Sequence, residues 1–147
     1  MSFLNALNIS ASGMTAERMR LDIAAENIAN INTTRTENGG PYRRKMVVFE
    51  PIEDNSFASA FRSELSRQSN NGGGVRVAEI VEDPSDFRMV YNPEHPDADE
   101  NGYVQMPNVD LLKETVDSMA ASRAYDANLT AFNTIKTMAT KALEIGK

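Results

Sequence analysis

The residues that could do chemistry are few and scattered. His95 is the only histidine in the chain, and it stands alone between Glu94 and Pro96, so no Ser-His-Asp arrangement can be argued from it. The chain has no cysteine, which excludes disulfides, thiolate metal sites and cysteine nucleophiles. The glycine run at residues 72–74 lacks the Lys-Ser/Thr pair that completes a phosphate-binding loop. We therefore predict that the chain is not an enzyme and uses no cofactor.

The acidic segment Asp97–Gly102 is the strongest candidate for a metal site. It matches the first half of a calcium-binding EF-hand loop, in which alternate carboxylates and a glycine surround the ion. The second half fails, because Asn108 stands where the loop needs a bidentate glutamate and Pro96 precludes a normal entering helix. We favour the alternative interpretation, an acidic turn completed by Asn101 and Gly102, and predict no metal.

Composition narrows the class of protein further. The chain has 147 residues, 41% of them hydrophobic and 7% aromatic, with a formal net charge of -6. This length suits one domain. The acidity argues against binding to nucleic acid or anionic lipid, because the one basic run, Arg43–Lys45, is short. No apolar run approaches the roughly 20 residues of a membrane span. The start of the chain lacks the basic and apolar regions of a secretory signal peptide.

Two long amphipathic helices are predicted at the ends of the chain. Apolar residues recur at steps of three and four from Ser2 to Asn32, and again from Asn108 to Gly146. Ser2 and Asn108 are the predicted N-caps, and three asparagines between Asn27 and Asn32 mark the end of the first helix. The second helix would be roughly 55 Å long. It exceeds what a small middle could cover, so partners must bury the remainder.

The middle of the chain predicts short strands and turns. Strands are expected at Tyr42–Phe49, from Val75 to Val81, and at Phe87–Tyr91, with Asn92–Gly102 as a loop. Phe57, Phe61 and Leu65 fall at helical spacing, and residues 69–74 suggest a flexible joint. We predict a mainly α fold whose terminal helices pair as an antiparallel coiled-coil-like domain, divided into residues 1–34, 35–107 and 108–147.

The segments at the two ends resemble a known family, the axial proteins of the bacterial flagellum, and within it the proteins of the proximal rod. Ala24–Thr33 looks like the family's Asn-x-Ala-Asn-x-x-Thr signature, and Ala121–Asn128 looks like its Arg-x-Tyr-x-Ala-Asn helix. The middle segments 81–85, 90–98 and 102–109 are similar to the proximal rod proteins in order and spacing. The resemblance covers essentially the whole chain, with residues 54–71 matching least.

The resemblance implies a structural subunit of the basal-body rod, a tubular drive shaft that also serves as the export channel. It implies export through the flagellar type III apparatus without a cleaved signal, and a place in the rod that crosses the periplasm. The implied partners are the chain itself, other rod subunits, the junction between the rod base and the MS ring, and the export apparatus. The alternative is a soluble helical adaptor, or an export-chaperone-like protein, that binds one partner.

Subunit contacts are expected along the seams of the two helices. On the N-terminal helix these are Phe3, Leu7, Ala11, Met14, Leu21, Ala25, Asn27, Ile28 and Asn30. On the C-terminal helix they are Leu112, Val116, Ala120, Ala124, Tyr125, Ala127, Asn128, Ala131, Phe132, Ile135, Met138 and Ala142. The small residues Ala124, Ala127 and Ala131 would let a second helix approach closely.

Overall fold

The computed structural model describes residues 3–37, 39–52 and 73–145. Among these residues there are two helices and four strands: α1 (Phe3–Ala29), β1 (Lys45–Pro51), β2 (Val75–Glu82), β3 (Arg88–Tyr91), β4 (Tyr103–Met106) and α2 (Leu111–Ile145). The prediction of a mainly α chain with two long terminal helices and a small β part is confirmed. Neither helix is long and apolar enough to cross a membrane.

The four strands form two separate pairs, β1 with β2 and β3 with β4. The β3–β4 pair is antiparallel, with Arg88 opposite Met106 and Tyr91 opposite Tyr103. The β1–β2 pair is also antiparallel. At one end the N–H of Asp83 donates to the carbonyl of Arg44 over 2.8 Å, and at the other the N–H of Ile52 donates to the carbonyl of Gly74 over 3.0 Å.

Each of the three predicted strands corresponds to an observed strand, but the limits differ and a fourth strand is present. β1 begins at Lys45 rather than at the predicted Tyr42, because the N–H of Tyr42 donates to the carbonyl of Thr33 and not to a neighbouring strand. The strand β4 was missed, since its four residues show no strong apolar alternation. The predicted loop Asn92–Gly102 is the connection between β3 and β4.

The asparagine run does end α1, and the side chain of Asn30 makes the hydrogen bonds at this end. The Asn30 side chain donates to the carbonyl of Glu26 over 2.9 Å, and its Oδ1 accepts from the hydroxyl of Thr33 over 3.1 Å. The first bond is a side-chain alternative to the helical backbone bonds, and the second ties the helix end to the residues that follow it. The helix ends at Ala29, three residues before the predicted Asn32. Ser2, the predicted cap at the start, lies outside the described residues.

The N-cap of α2 is Asp110, and the prediction of Asn108 was wrong. Asp110 Oδ1 accepts the N–H of Leu112 over 2.8 Å and that of Lys113 over 3.3 Å. A carboxylate there also suits the positive end of the helix dipole. The Asn108 side chain is instead engaged elsewhere, accepting the N–H of Arg44 over 2.8 Å. The helix therefore begins at Leu111.

The chain divides into two compact units. The central unit comprises Met19–Val48 and Glu79–Ala121. Its buried apolar residues include Ile23, Ala24, Tyr42, Val104, Val109 and Ala121. Here the two helices are antiparallel, since Arg20 reaches Asp117 at 3.6 Å while Asn27, further along α1, reaches Glu114, earlier on α2, at 3.0 Å.

The terminal unit comprises Met1–Arg18, Phe49–Ala78 and Ser122–Lys147, as far as these are described. A Cβ on Gly13 would lie 2.9 Å from Asn128 Nδ2, so this glycine permits close approach of α1 and α2. Gly74 has a φ of +126° and packs against Ser12, whose hydroxyl oxygen accepts the N–H of Val75 over 3.2 Å. The predicted joint at residues 69–72, and the helical spacing from Phe57 to Leu65, lie outside the described residues.

Candidate functional site: an exposed helix face and a buried polar junction

The first turns of α2, in the central unit, carry exposed apolar residues. Leu112 is 74% exposed and Val116 is 57% exposed, and Ala120 is exposed as well. On the same helix, Glu114 and Ala121 are buried. Because successive helical residues are rotated by about 100°, the predicted seam in these first turns lies nearly opposite the buried face. It is left uncovered within the chain.

The later turns of α2, in the terminal unit, show the same division. Met138 is 64% exposed and Leu143 is 76% exposed. Leu143 is not one of the predicted contact residues. Of those that are, Ala127, Ala131, Met138 and Ala142 are exposed here, whereas Ala124, Tyr125, Asn128, Phe132 and Ile135 are half-buried. The predicted contact residues of α2 thus separate into a half-buried set and an exposed set on a neighbouring face.

The predicted contact residues of α1 are covered to different degrees. Phe3 is 41% exposed and Ala25 is exposed, while Leu7, Ala11, Met14, Leu21, Ile28 and Asn30 are half-buried. Asn27 is buried, with 1% exposure, and its partners all lie within the chain.

The Asn27 side chain is held by four hydrogen bonds in the central unit. Its Nδ2 donates to the carbonyl of Lys45 over 2.9 Å and to Glu114 Oε2 over 3.0 Å. Its Oδ1 accepts the N–H of Lys45 over 2.9 Å and the hydroxyl of Tyr42 over 2.9 Å. Two donors and two acceptors are the full capacity of a carboxamide. The amide therefore pairs with both the N–H and the carbonyl of Lys45, as the backbone of a neighbouring strand would.

Arg44 is the cation of this junction, and it is 7% exposed. Its Nε donates to Glu114 Oε1 over 2.6 Å. Its two terminal nitrogens reach Asp83 at 3.4 Å and Asp117 at 3.3 Å. A buried charge needs both ion pairs and hydrogen bonds. Arg44 therefore connects the start of β1, the turn after β2 and the first turns of α2. We call Asn27, Tyr42, Arg44, Glu114 and Asp117 the polar junction.

Glu114 is the most deeply placed acid of the polar junction, at 1% exposure. One carboxylate oxygen accepts from Arg44 and the other from Asn27, so both are paired. Glu114 also lies in the first turn of α2, where a negative charge is stabilised by the helix dipole. The residue joins both helices and the segment just before β1.

The turn at Asp83–Ser85 is fixed by side chains from the segments just before β1 and just before α2. Arg43 donates to the carbonyls of Asp83 and Ser85 over 2.9 and 3.1 Å, and its guanidinium lies 4.3 Å from the ring centre of Phe87. Asn108 Nδ2 donates to the carbonyl of Asp83 over 3.1 Å. Hydrogen bonds from the backbone and hydroxyl of Ser85 lower the pKa of Asp83, and nearby Arg44 lowers it further.

Tyr42 is the titratable group most strongly affected by this environment. Burial raises the pKa of the Tyr42 phenol to about 12, with further contributions from the carboxylates of Glu26 and Glu114. Burial disfavours the charged phenolate because it removes solvent, and the nearby carboxylates disfavour it because they repel its negative charge. The hydroxyl therefore stays protonated and donates to Asn27.

The acidic loop between β3 and β4 is the predicted turn. Asp99 Oδ1 accepts the N–H groups of Asn101 and Tyr103 over 2.9 and 2.8 Å, and Gly102 adopts a φ of +79°. His95 Nδ1 accepts the N–H of Asp97 over 3.1 Å. Within the described ranges no group of three or more His, Cys, Asp or Glu side chains is placed to hold a metal.

The polar junction was missed by the sequence analysis. Its members were divided among a signature (Asn27), a basic run (Arg44) and a helix whose seam was assigned from apolar residues alone. A signal was present, because Glu114, Ala121, Asn128 and Ile135 follow one another at steps of seven and are all buried or half-buried. Counting only apolar positions hid this face, since two of the four residues are polar.

Known protein families match both ends of the chain. A family described as "Flagella basal body rod protein" matches residues 7–35, which contain the asparagine run and Asn27. A family described as "Flagellar basal body rod FlgEFG protein C-terminal" matches residues 100–145, which contain β4 and α2. The two matches together include all of α2, α1 from residue 7 onward, and the helical part of the polar junction.

Individual relatives match over the full chain and carry one name, "Flagellar basal-body rod protein FlgC". The protein from Bacillus subtilis (strain 168) is 51% identical, with all of both chains covered. The protein from Borreliella burgdorferi is 42% identical over 99% of this chain and 98% of its own. The protein from Salmonella typhimurium (strain LT2) is 40% identical, again with both chains fully covered. With such identity over its whole length, the chain belongs to the FlgC family of flagellar basal-body rod proteins.

Proposed function

We propose that this chain, a structural subunit of the flagellar basal-body rod, polymerises through the exposed face of α2 into a tube with other rod subunits. The observation that carries the proposal is the exposure of Leu112, Val116 and Met138, at 57 to 74%. Apolar side chains exposed in a row along a helix favour burial against a partner. A contact between two different surfaces repeats without closing, and so generates a helical tube.

The small residues of this face set how closely a partner can approach. Ala120, Ala127 and Ala131 are exposed, and a row of alanines allows a second helix to pack close to the backbone. The larger side chains Val116 and Met138 lie before and after this row. The neighbouring helix would therefore be held between them. The rod would then lie across the periplasm, above its junction with the MS ring, and its subunits would reach it through the type III export apparatus.

The substitution Ala127→Lys tests the proposal. A long cation at the centre of the exposed face would place a charge in the contact between subunits, while in the free chain it would remain in solvent. We expect normal soluble expression and helix content, but no incorporation into rods and no motility. Mass spectrometry of purified hook–basal bodies from cells that carry only this variant measures incorporation.

The matched control is Ser122→Lys, which adds the same side chain at an exposed polar position of α2. It lies on a different face of the helix and should leave assembly nearly unchanged. Motile cells with Ala127→Lys rods would contradict the proposal. A discrete small oligomer of the unmodified chain that never enters basal bodies would favour the adaptor function instead.

A further inference from the structure

The connection between β3 and β4 ends in an Asn-Gly pair whose two residues differ in exposure. Asn101 is exposed, whereas Gly102 is buried. The N–H of Gly102 donates to the carbonyl of Asp99 over 2.9 Å, which closes a β-turn. A Cβ on Gly102 would lie 3.0 Å from Tyr91 Cε2 and 3.1 Å from the Cβ of Pro93, and the φ of this glycine is +79°. Position 102 therefore requires a glycine.

An asparagine followed by a glycine is the pair in which the side-chain amide reacts most readily with the backbone. The backbone nitrogen of Gly102 attacks Cγ of Asn101, ammonia leaves, and a cyclic succinimide forms. Water then opens the ring at either carbonyl and leaves aspartate or isoaspartate, so the net reaction takes up water and releases ammonia. Glycine favours the attack because it has no side chain to obstruct its nitrogen.

The folded turn blocks this reaction at the attacking atom. The N–H of Gly102 is bonded to Asp99, so its nitrogen reaches Cγ of Asn101 only if the turn opens. Asp99 Oδ1 also accepts the N–H groups of Asn101 and Tyr103 over 2.9 and 2.8 Å, and the N–H of Asp99 donates to the carbonyl of Tyr103 over 2.9 Å. Opening the turn breaks these bonds together, and is therefore a local unfolding event.

We infer that Asn101 is a deamidation site that reacts in the unfolded chain and is protected in the folded one. The inference goes beyond the proposed function and does not depend on it. The isoaspartate product carries one more backbone carbon between residues 101 and 102. It lengthens the turn that Asp99 and Tyr103 close, and it displaces the carbonyl of Gly102, which accepts the N–H of Asn92 over 2.9 Å. A chain modified in this way cannot rebuild the end of the β3–β4 connection.

The unmodified full chain provides the first test. It is incubated at mildly alkaline pH in buffer and in guanidinium chloride, and peptide mapping by mass spectrometry follows the conversion of Asn101. We expect conversion in buffer to be at least about tenfold slower, because it then requires local opening of the turn. Equal rates under the two conditions, or no conversion in guanidinium chloride, would overturn the inference.

A pair of variants tests whether this turn is the source of the protection. Asp99→Ala removes the side-chain acceptor of two N–H groups in the turn, and conversion of Asn101 in buffer should become several-fold faster. Glu100→Ala is the matched control, since it removes an exposed carboxylate from the same turn and should leave the rate nearly unchanged. Equal rates in the two variants would show that the protection does not come from the bonds of Asp99.

Refolding of the aged chain tests the consequence of the modification. After incubation in guanidinium chloride the chain is returned to buffer and briefly digested with protease, and fragmentation by electron transfer distinguishes isoaspartate from aspartate. We expect isoaspartate at position 101 to be enriched in the digested fraction. The variant Asn101→Asp carries the new charge without the added backbone carbon, and should refold like the unmodified chain. Equal protease resistance of chains with and without isoaspartate would contradict the inference.

Discussion

The central unit and the terminal unit close their interiors to different extents. In the central unit Val104, Asn27, Glu114 and Ala121 are all at most 2% exposed. In the terminal unit the fully buried residues among those described are Ser10, Gly13 and Ala16, all on α1. No described side chain of α2 from Ser122 to Glu144 is fully buried. One unit has an interior of its own, and the other leaves half of its helix pair to be covered.

The difference teaches which part of the chain needs a neighbour. A helix without a burial partner is marginal in water, so the terminal unit gains most from assembly. The central unit is held by ion pairs and hydrogen bonds that are already satisfied. We therefore expect the free chain to be ordered around the polar junction and weakly ordered toward its ends, and four experiments test this contrast.

Removing one partner of the buried ion pair should have the largest effect. Arg44→Met leaves the carboxylate of Glu114 buried without its cation, which we expect to lower the free energy of unfolding by about 3–5 kcal/mol. The double variant Arg44→Met/Glu114→Met should recover most of this loss, because no fully buried carboxylate is then left without its cation. Urea denaturation of the soluble chain measures both values.

The terminal unit offers a matched control for that experiment. Arg76 pairs with Glu50, but their side chains are 65% and 40% exposed. Arg76→Met should therefore cost less than about 1 kcal/mol. Equal losses for Arg44→Met and Arg76→Met would show that the polar junction gives the central unit no special stability.

A change of one atom in Asn27 should have the next largest effect. Asn27→Asp removes both donors of the side chain, and it places a carboxylate 3.0 Å from Glu114 and 2.9 Å from the carbonyl of Lys45. We expect a loss of about 3 kcal/mol in the free energy of unfolding. Asn128→Asp in the terminal unit is the control, since Asn128 Nδ2 donates to the Ala124 carbonyl of its own helix. A loss as large in the control would contradict the contrast.

Hydrogen exchange should divide α2 into two parts. Amides between Glu114 and Ala121 belong to the central unit, and we expect them to exchange about 100-fold more slowly than amides between Thr130 and Ala139. Mass spectrometry of the free chain after deuterium labelling measures the ratio. In intact rods the ratio should shrink, because neighbours then cover the later turns. Uniform protection along α2 in the free chain would be the contrary result.

Alkaline pH should have the smallest effect. The pKa of Tyr42 is raised to about 12 in the folded chain, whereas a tyrosine in an unfolded chain titrates near 10. A raised pKa means that this contribution to stability is fully present below pH 10 and is lost as the pH rises from about 10 to 12. Urea denaturation across this range should show a decline that is smaller in Tyr42→Phe. Identical declines in the two proteins would count against it.

Local features of the fold were predictable from the sequence. The apolar steps gave both helices, the asparagine run gave the end of α1, and the Asp99–Gly102 turn followed from its residue types. Each of these depends on residues a few positions apart. The N-cap was misplaced by two residues, because Asn108 and Asp110 are both good caps and only the bond from Asn108 to the N–H of Arg44 distinguishes them.

The polar junction depends on contacts that no local pattern contains. Asn27 and Glu114 are 87 residues apart, and Arg44 and Glu114 are 70 residues apart. A glutamate on a helix is ordinarily a solvated residue, and only the fold brings an arginine and an asparagine to it. The exposed face of α2 was predictable for the complementary reason, since its residues are apolar and lie on one helix. What the sequence could not reveal was which of two adjacent faces the chain covers by itself.

The distance in sequence between the partners of Glu114 has a consequence for how fast the chain folds. Every bond of this residue to Asn27 or Arg44 closes a long loop, and the entropy of that loop is lost before the contact forms. Chains dominated by such distant contacts fold in milliseconds to seconds rather than microseconds. We therefore expect a newly made chain to stay extended for a comparatively long interval, because Asn27 and Arg44 can form these contacts only after Glu114 has been synthesised.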